Sequence, residues 1–229
     1  MAKLYFKYGA MGSSKSAQAL ITQFNYEERG MTVWLIKPST DDRDGADVIQ
    51  SRIGLSRKAS VIRPEDSIVE LYRSTGRTDV IQSRIGLSRR ASVICPGDSI
   101  VELYRSTGRT DVIIADEAQF FTPEQIDELR WIVDFEDIPV LCFGLRTDFL
   151  TSFFPGSKRL MELADSIQEI KTVCSCGRKA TVNARIDGNG RVVTKGAQVL
   201  IGGNDSYVAM CHRCWRQKVA EQESQISFE

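Results

Sequence analysis

The 229-residue chain (25.7 kDa) is long enough to bury a full core, with room for one α/β domain and a small appendage. Lys plus Arg number 30 and Asp plus Glu number 30, so a net charge of +0 argues against an extended electrostatic surface for nucleic acid. The start MAKLYFKYGAM runs directly into a strand pattern, with no signal peptide and no apolar run long enough to span a bilayer. The expectation is a cytoplasmic protein with neither a nucleic-acid nor a membrane partner.

Leu4, Phe6 and Tyr8 alternate as a strand, and Gly9-Ala10-Met11-Gly12-Ser13-Ser14-Lys15-Ser16 follows at once. Ala17, Leu20, Ile21 and Phe24 then recur at helical spacing, with Gly30 as the stop. Strand, glycine-bearing loop, Lys-Ser and helix are the setting of a Walker A phosphate loop. In such a loop backbone N–H groups cradle phosphates at a positive helix end, Lys15 neutralises the outer phosphates and the Ser16 hydroxyl ligates magnesium. One position departs from the pattern: the usual second glycine is Ser14, and serine lacks glycine's freedom at positive φ.

Next come two consecutive 32-residue copies, Asp47 to Thr78 and Asp79 to Thr110, which differ only at Lys58/Arg90, Arg63/Cys95 and Glu65/Gly97. Asp-Val-Ile opens each copy and also the strand at Asp111, so a slip between matching segments would generate the arrangement. Each copy predicts a short strand (Ala59 to Ile62 or Ala91 to Ile94) and then a helix. The helix's apolar face is Ile68, Leu71 and Tyr72, or Ile100, Leu103 and Tyr104, and Gly76 or Gly108 ends it. A sheet built around one such unit has one slot for it. Glu65 against Gly97 at the helix start favours copy one slightly, but sequence does not assign the docked copy.

Val112, Ile113, Ile114 and Ala115 read as a strand buried on both faces, a pattern of central strands in parallel sheets. Asp116 and Glu117 fall at its carboxyl end, where open α/β sheets bind ligands. A carboxylate there can hold the water shell of magnesium while its neighbour takes a proton. Thr122-Pro123-Glu124-Gln125 predicts a capped helix start, Ile126, Leu129, Ile132 and Val133 its core face, and Ile138 to Phe143 a buried strand.

Four of the 6 cysteines fall in two close pairs, Cys174/Cys176 and Cys211/Cys214. Lys179 to Ile186 and Arg191 to Val193 flank the turn Asp187-Gly188-Asn189-Gly190 and read as a hairpin between two knuckles. That describes a zinc ribbon with four thiolates in a closed, structural tetrahedron. His212 reads as a bystander and Cys142 as core. Gln198 to Tyr207 reads as a loop with close backbone approach at Gly202 and Gly203, and Arg216 to Glu229 as a polar, frayed tail.

Together GAMGSSKS, KPSTDDRDG, DVIIADEAQF, FGLRTDF, FFPGSKRL, the cysteine pairs and IGGNDSY closely resemble the zinc-containing type II thymidine kinases, in family order over nearly the whole chain. The extra repeat copy is the exception. The fold expected is α/β: a P-loop parallel sheet with flanking helices over 1–172, a small zinc-ribbon and lasso domain over 173–215, and the tail 216–229. The resemblance implies that Gly9 to Ser16 hold the ATP phosphates, that Asp116, Glu117, Ala118 and Gln119 complete that site through magnesium, and that Asp41 and Arg43 form a polar pair near the phosphates. Glu117 would be the base for the thymidine 5′-hydroxyl. Phe120, Leu145, Phe149 and Phe154 would wall the thymine, and Gln198, Val199, Leu200, Ile201 and Gly202 with Tyr207 would form a lasso over it. A homotetramer is also implied. Two other readings compete: a nucleotide-gated binding module built on the zinc ribbon, against which the balanced charge counts, and an inactive paralogue broken by the duplication.

Overall fold

The computed structural model describes residues 1–40, 48–51, 54–58, 92–94, 96–106, 110–198 and 206–226. Six strands form one parallel sheet in the order β5-β2-β6-β7-β1-β8, where β1 is Leu4–Tyr8, β2 Val33–Pro38, β5 Ser92–Ile94, β6 Val112–Ala115, β7 Val140–Gly144 and β8 Ser166–Glu169. Alternation along the strands builds two cores. Leu4, Phe6, Trp34, Ile36, Ile113, Ala115, Val140 and Cys142 point to one face, and Val33, Leu35, Val112, Ile114, Leu141 and Phe143 to the other.

Helix α1 (Lys15–Glu27) covers the second face through Ala19 and Leu20. Its apolar residues do not all turn inward: Ile21 and Phe24 are 46% and 50% exposed. Gly30, at φ 76, ends the turn that follows. The first face is covered by α2 (Ile100–Ser106), α3 (Pro123–Phe135) and α4 (Pro155–Leu163). The start of α3 carries the expected capping box, Thr122 Oγ1 accepting from Gln125 N at 3.3 Å and Gln125 Oε1 from Thr122 N at 3.1 Å.

The duplicated segment fills its single slot by a division between the copies. Copy one contributes a hairpin, β3 (Val48–Gln50) and β4 (Ser56–Lys58), fixed by the buried Lys37, whose Nζ donates to Val48 O at 2.9 Å. Copy two contributes β5 and α2. Strand β5 pairs with β2 at Ile36↔Ser92, and Ser39 N donates to Ile94 O at 2.7 Å. At the start of α2 the Glu128 carboxylate accepts from Ser99 Oγ and Ile100 N, an acceptor and negative charge well placed at a helix N-terminus, while Gln125 Nε2 donates to Asp98 O. Each half thus keeps its own tether, the hairpin to the upstream loop and α2 to β6. The slight preference of Glu65 for copy one does not come into play, because Gly97 falls in the turn before α2 and not in the helix, where a propensity difference would count. The counterpart strand and helix of copy one, 59–62 and 68–72, lie outside the described residues, as do Gly76 and Gly108.

A second sheet pairs β9 (Val182–Arg185) antiparallel with β10 (Tyr207–Met210). The Asp187–Gly190 turn forms as expected, with Asp187 Oδ1 accepting from Asn189 N and Arg191 N. The expected hairpin with 191–193 is short, one bridge at Ile186↔Val192 made by Asp187 N to Arg191 O and Val193 N to Arg185 O; the longer ladder comes from β10. The expectation of a frayed tail also fails: α5 runs from His212 to Ile226. Its Arg, Gln, Lys, Ala and Glu residues are good helix formers, and the Gln222 amide clasps both Val192 N and Val192 O.

Excising residues 59–90 joins Lys58 to Ala91 and removes no described residue, so every described element should stay in place, read as a denaturation midpoint no lower than the parent's. A fall in midpoint would mean that the excised residues contribute contacts of their own.

Candidate functional site

The parallel sheet brings the ends of β1, β6 and β7 to one edge, and the chemistry-bearing residues collect there. Gly9 N donates to Gly144 O at 3.2 Å, which ties the start of the phosphate loop to the end of β7. A side chain on Gly9 would lie 2.4 Å from Ile170 O and from Ser13 Oγ, so only glycine fits. Gly12 and Ser14 both take left-handed backbone, at φ 73 and 62. Left-handed turns of this kind let successive backbone N–H groups converge on an anion. Ser14 thus occupies the conformation that glycine normally supplies, at a cost of roughly 1–3 kcal/mol.

Lys15 opens α1 and is buried; its Nζ donates to Ala10 O at 3.0 Å and to Ser13 Oγ at 3.4 Å, which folds the ammonium back across the loop. Ser16 is partly buried beside it. Asp116 follows β6 and is 3% exposed, while Glu117 is partly exposed in left-handed backbone at φ 50. A non-glycine residue held at positive φ costs energy that the surroundings must supply, and two of the four such residues described, Ser14 and Glu117, stand at this edge. A 3-10 turn, Ala118–Phe120, then buries Ala118 and Gln119. The Gln119 amide donates from Nε2 to Glu117 Oε2 and accepts at Oε1 from Leu145 N.

The expected apolar wall divides in two. Phe120 meets Phe154 edge-on with centroids 5.5 Å apart, and Leu145, after β7, is partly buried. Phe149 is buried, with the Arg185 guanidinium 3.8 Å above its ring centroid. Arg185 also donates to Tyr207 Oη, to Ala197 O and to Gln198 O. Gln198 Nε2 reaches Asp148 Oδ2 at 2.9 Å, and the other oxygen of Asp148 accepts from Leu150 N and Ser152 N. Both ends of the predicted lasso are therefore anchored, although Val199, Leu200, Ile201 and Gly202 lie outside the described residues. Asp41 and Arg43 lie outside them too.

Two residues that sequence reading missed join these parts. Arg185 is one. Asn183 is the other: its Oδ1 accepts from Met11 N at 2.8 Å and its Nδ2 donates to Thr147 O at 2.8 Å, so a buried amide on β9 clamps the phosphate loop to the segment after β7. Neither stands in a motif, and both act across long sequence separations. The only available signal was a polar residue on alternate positions of a short strand that is buried on every residue.

The four clustered cysteines place their sulfurs within 4.8 Å of one another, with Cys176 and Cys211 sulfurs 3.6 Å apart. Tetrahedral zinc with bonds of about 2.3 Å needs sulfurs about 3.8 Å apart, so the donor set fits. Backbone N–H groups of Cys176 and Cys211 hold the Cys174 thiol down to about 6, and that of Cys214 lowers the thiol of Cys211. Both shifts favour the thiolate that a metal requires, whereas Cys214, bonded to the Cys176 and Cys211 thiols, is pushed up to about 12 and would give up its proton only to the metal. A small core of Ala180, Ala184 and Met210 backs the cluster. His212 is exposed and packs against Trp215.

Replacing Asn183 by Leu leaves the Met11 N–H and the Thr147 carbonyl without the amide. We expect a loss of about 1–3 kcal/mol in stability, measured by denaturant unfolding.

The description "Thymidine kinase" belongs to the family model that this chain matches over residues 2–82 and again over 67–215, two matches that overlap inside the duplication. A thymidine kinase of Ruegeria pomeroyi is 40% identical over 221 residues, 96% of this chain and 97% of its own length. One from Legionella pneumophila is 44% identical over 92% of this chain and 88% of its own, and one from Shewanella oneidensis 38% identical over 95% and 98%. Likeness to a solved Pif1 helicase from Candida albicans is slight, at 15% identity and a TM-score of 0.37, covering 75% of this chain and 36% of that one. On its sequence match, carried over nearly its whole length, the chain belongs to the thymidine kinase family.

Proposed function

We propose that this thymidine kinase moves the γ-phosphate of ATP to the 5′-hydroxyl of thymidine with Glu117 as the general base. The observation that carries this reading is the meeting, at one sheet edge, of a phosphate loop bearing the buried Lys15 with a strand end bearing the buried Asp116 and the more open Glu117. Gly9 to Ser16 bind the phosphates, and Lys15 swings from the loop carbonyl to the outer phosphate oxygens. Asp116 and Ser16 would hold the magnesium that accompanies ATP, which would supply charge neutralisation to the transferred group. Glu117 accepts the hydroxyl proton as the oxygen attacks, so the chemistry is mostly alignment. Phe120, Leu145 and Phe154 wall the base, Phe149 supports them with one ring face taken by Arg185, and Gln198 with Tyr207 anchors the loop over it.

Zinc on Cys174, Cys176, Cys211 and Cys214 braces the end of this lobe. The described cysteines are all free thiols, which suits the reducing cytoplasm, and among the described residues no helix is long and apolar enough to cross a membrane. The half-exposed Ile21 and Phe24 on α1 support self-association of the kind a homotetramer requires. The docking of β5 on β2 and of α2 on Glu128 favours an active enzyme over a paralogue broken by its duplication.

Glu117→Gln should bind ATP as the parent does and lose about 10²–10⁴-fold in thymidine phosphorylation; ordinary turnover in that variant excludes Glu117 as the base. Chelation of the metal should lower the melting temperature and weaken thymidine more than ATP, followed by metal analysis, a thermal melt and both KM values.

A further inference from the structure

We infer that Gln119 is a positioning residue for Glu117, acting through that carboxylate rather than on the nucleotide; the inference rests on Glu117 being the base. Gln119 is 1% exposed in the short 3-10 turn, and its carboxamide has both kinds of polar end engaged by protein. Nε2 donates to Glu117 Oε2, and Oε1 accepts from Leu145 N at 2.9 Å. The orientation is fixed by chemistry, since a carboxylate oxygen needs a donor and a backbone N–H needs an acceptor. No other neutral side chain of this length offers one of each.

Glu117 needs such a partner. Its left-handed backbone, φ 50 and ψ 36, aims the side chain from a strained point in the chain, and the carboxylate is only partly buried. The amide ties that carboxylate to the backbone of Leu145, whose own carbonyl accepts from Ser157 Oγ at 2.5 Å. One bridge therefore links the base, the end of β7 and the start of α4. The fold also reserves space for it: a Cβ on Gly144 would stand 2.7 Å from Gln119 Oε1 and 3.1 Å from Gln119 N. Gly144 is not at positive φ, so its lack of a side chain answers to the amide opposite rather than to backbone freedom.

The test is a kinetic cycle on the full chain with Gln119→Met, Gly144→Ala, Glu117→Gln and the pair Glu117→Gln/Gln119→Met. Misplacing a base by about 1 Å costs up to about 10²-fold, so Gln119→Met should lower kcat by about that factor with the KM for ATP unchanged. Gly144→Ala, which displaces the amide without replacing it, should lower kcat in the same direction. In the Glu117→Gln background Gln119→Met should remove nothing further, the non-additivity expected of residues that act as a unit. An equal fold-loss in both backgrounds would overturn the inference, as would a raised KM for ATP at unchanged kcat, which is the signature of a nucleotide ligand. Full kcat in Gln119→Met beside a disabled Glu117→Gln removes the positioning role alone. Ordinary turnover in Glu117→Gln removes the base assignment and this inference with it.

Discussion

A strand buried on both faces takes a charge only where a partner waits for it, as Val48 O does for Lys37 in β2, and β6, which has no polar residue, carries that constraint through the whole fold. Val112 to Ala115 are all buried, so Asp116 is the first position from which a polar group can leave the sheet. Because β1, β6 and β7 run parallel, their ends share one edge, and whatever follows each strand is delivered to the same place. The phosphate loop, the two carboxylates and Leu145 are neighbours for that reason. The interior of the sheet, filled mostly with apolar side chains, leaves this edge for the polar chemistry.

Hydrogen-bonding amides then convert neighbours into a single arrangement. Asn183 joins the phosphate loop to the segment after β7, Gln119 joins the end of β6 to Leu145, and Gln198 joins the base of the lasso to Asp148. Asn183 and Gln119 each use donor and acceptor ends to join groups that cannot bond one another at that distance, while Gln198 donates to two acceptors, Asp148 Oδ2 and Phe153 O. Arg185 does the corresponding work for the second lobe, with carbonyls and a phenol at its edge and a phenyl ring beneath its plane. The cysteine cluster fixes the far end of the ladder from which Asn183 and Arg185 project.

Local signals were legible in the sequence and distant ones were not. The phosphate loop, the end of β6, the capping box at Thr122 and the cysteine pairs are each written within a few residues, so their geometry follows from spacing and residue type. Strand β2 was missed because Lys37 and Pro38 interrupt its apolar run; the lysine is buried all the same, through a bond to Val48. The partner of β9 was misread because the nearer segment past the turn looked sufficient, whereas β10 lies beyond the whole lasso. Helix α5 was mistaken for a frayed tail because its polar composition hides the contact from Gln222 to Val192. Ser14 was read correctly as a serine in a glycine's position, and the backbone pays for it with positive φ.

The slot beside β2 recognises its occupant through Ser92, Ile94, Asp98, Ser99, Ile100 and Tyr104. All six recur 32 positions earlier, and none of the three sites at which the copies differ is among them. The two copies are therefore chemically indistinguishable at the slot. Every contact that fills it could be made by either one, and a single substitution among these positions in one copy would give the slot its first means of telling them apart.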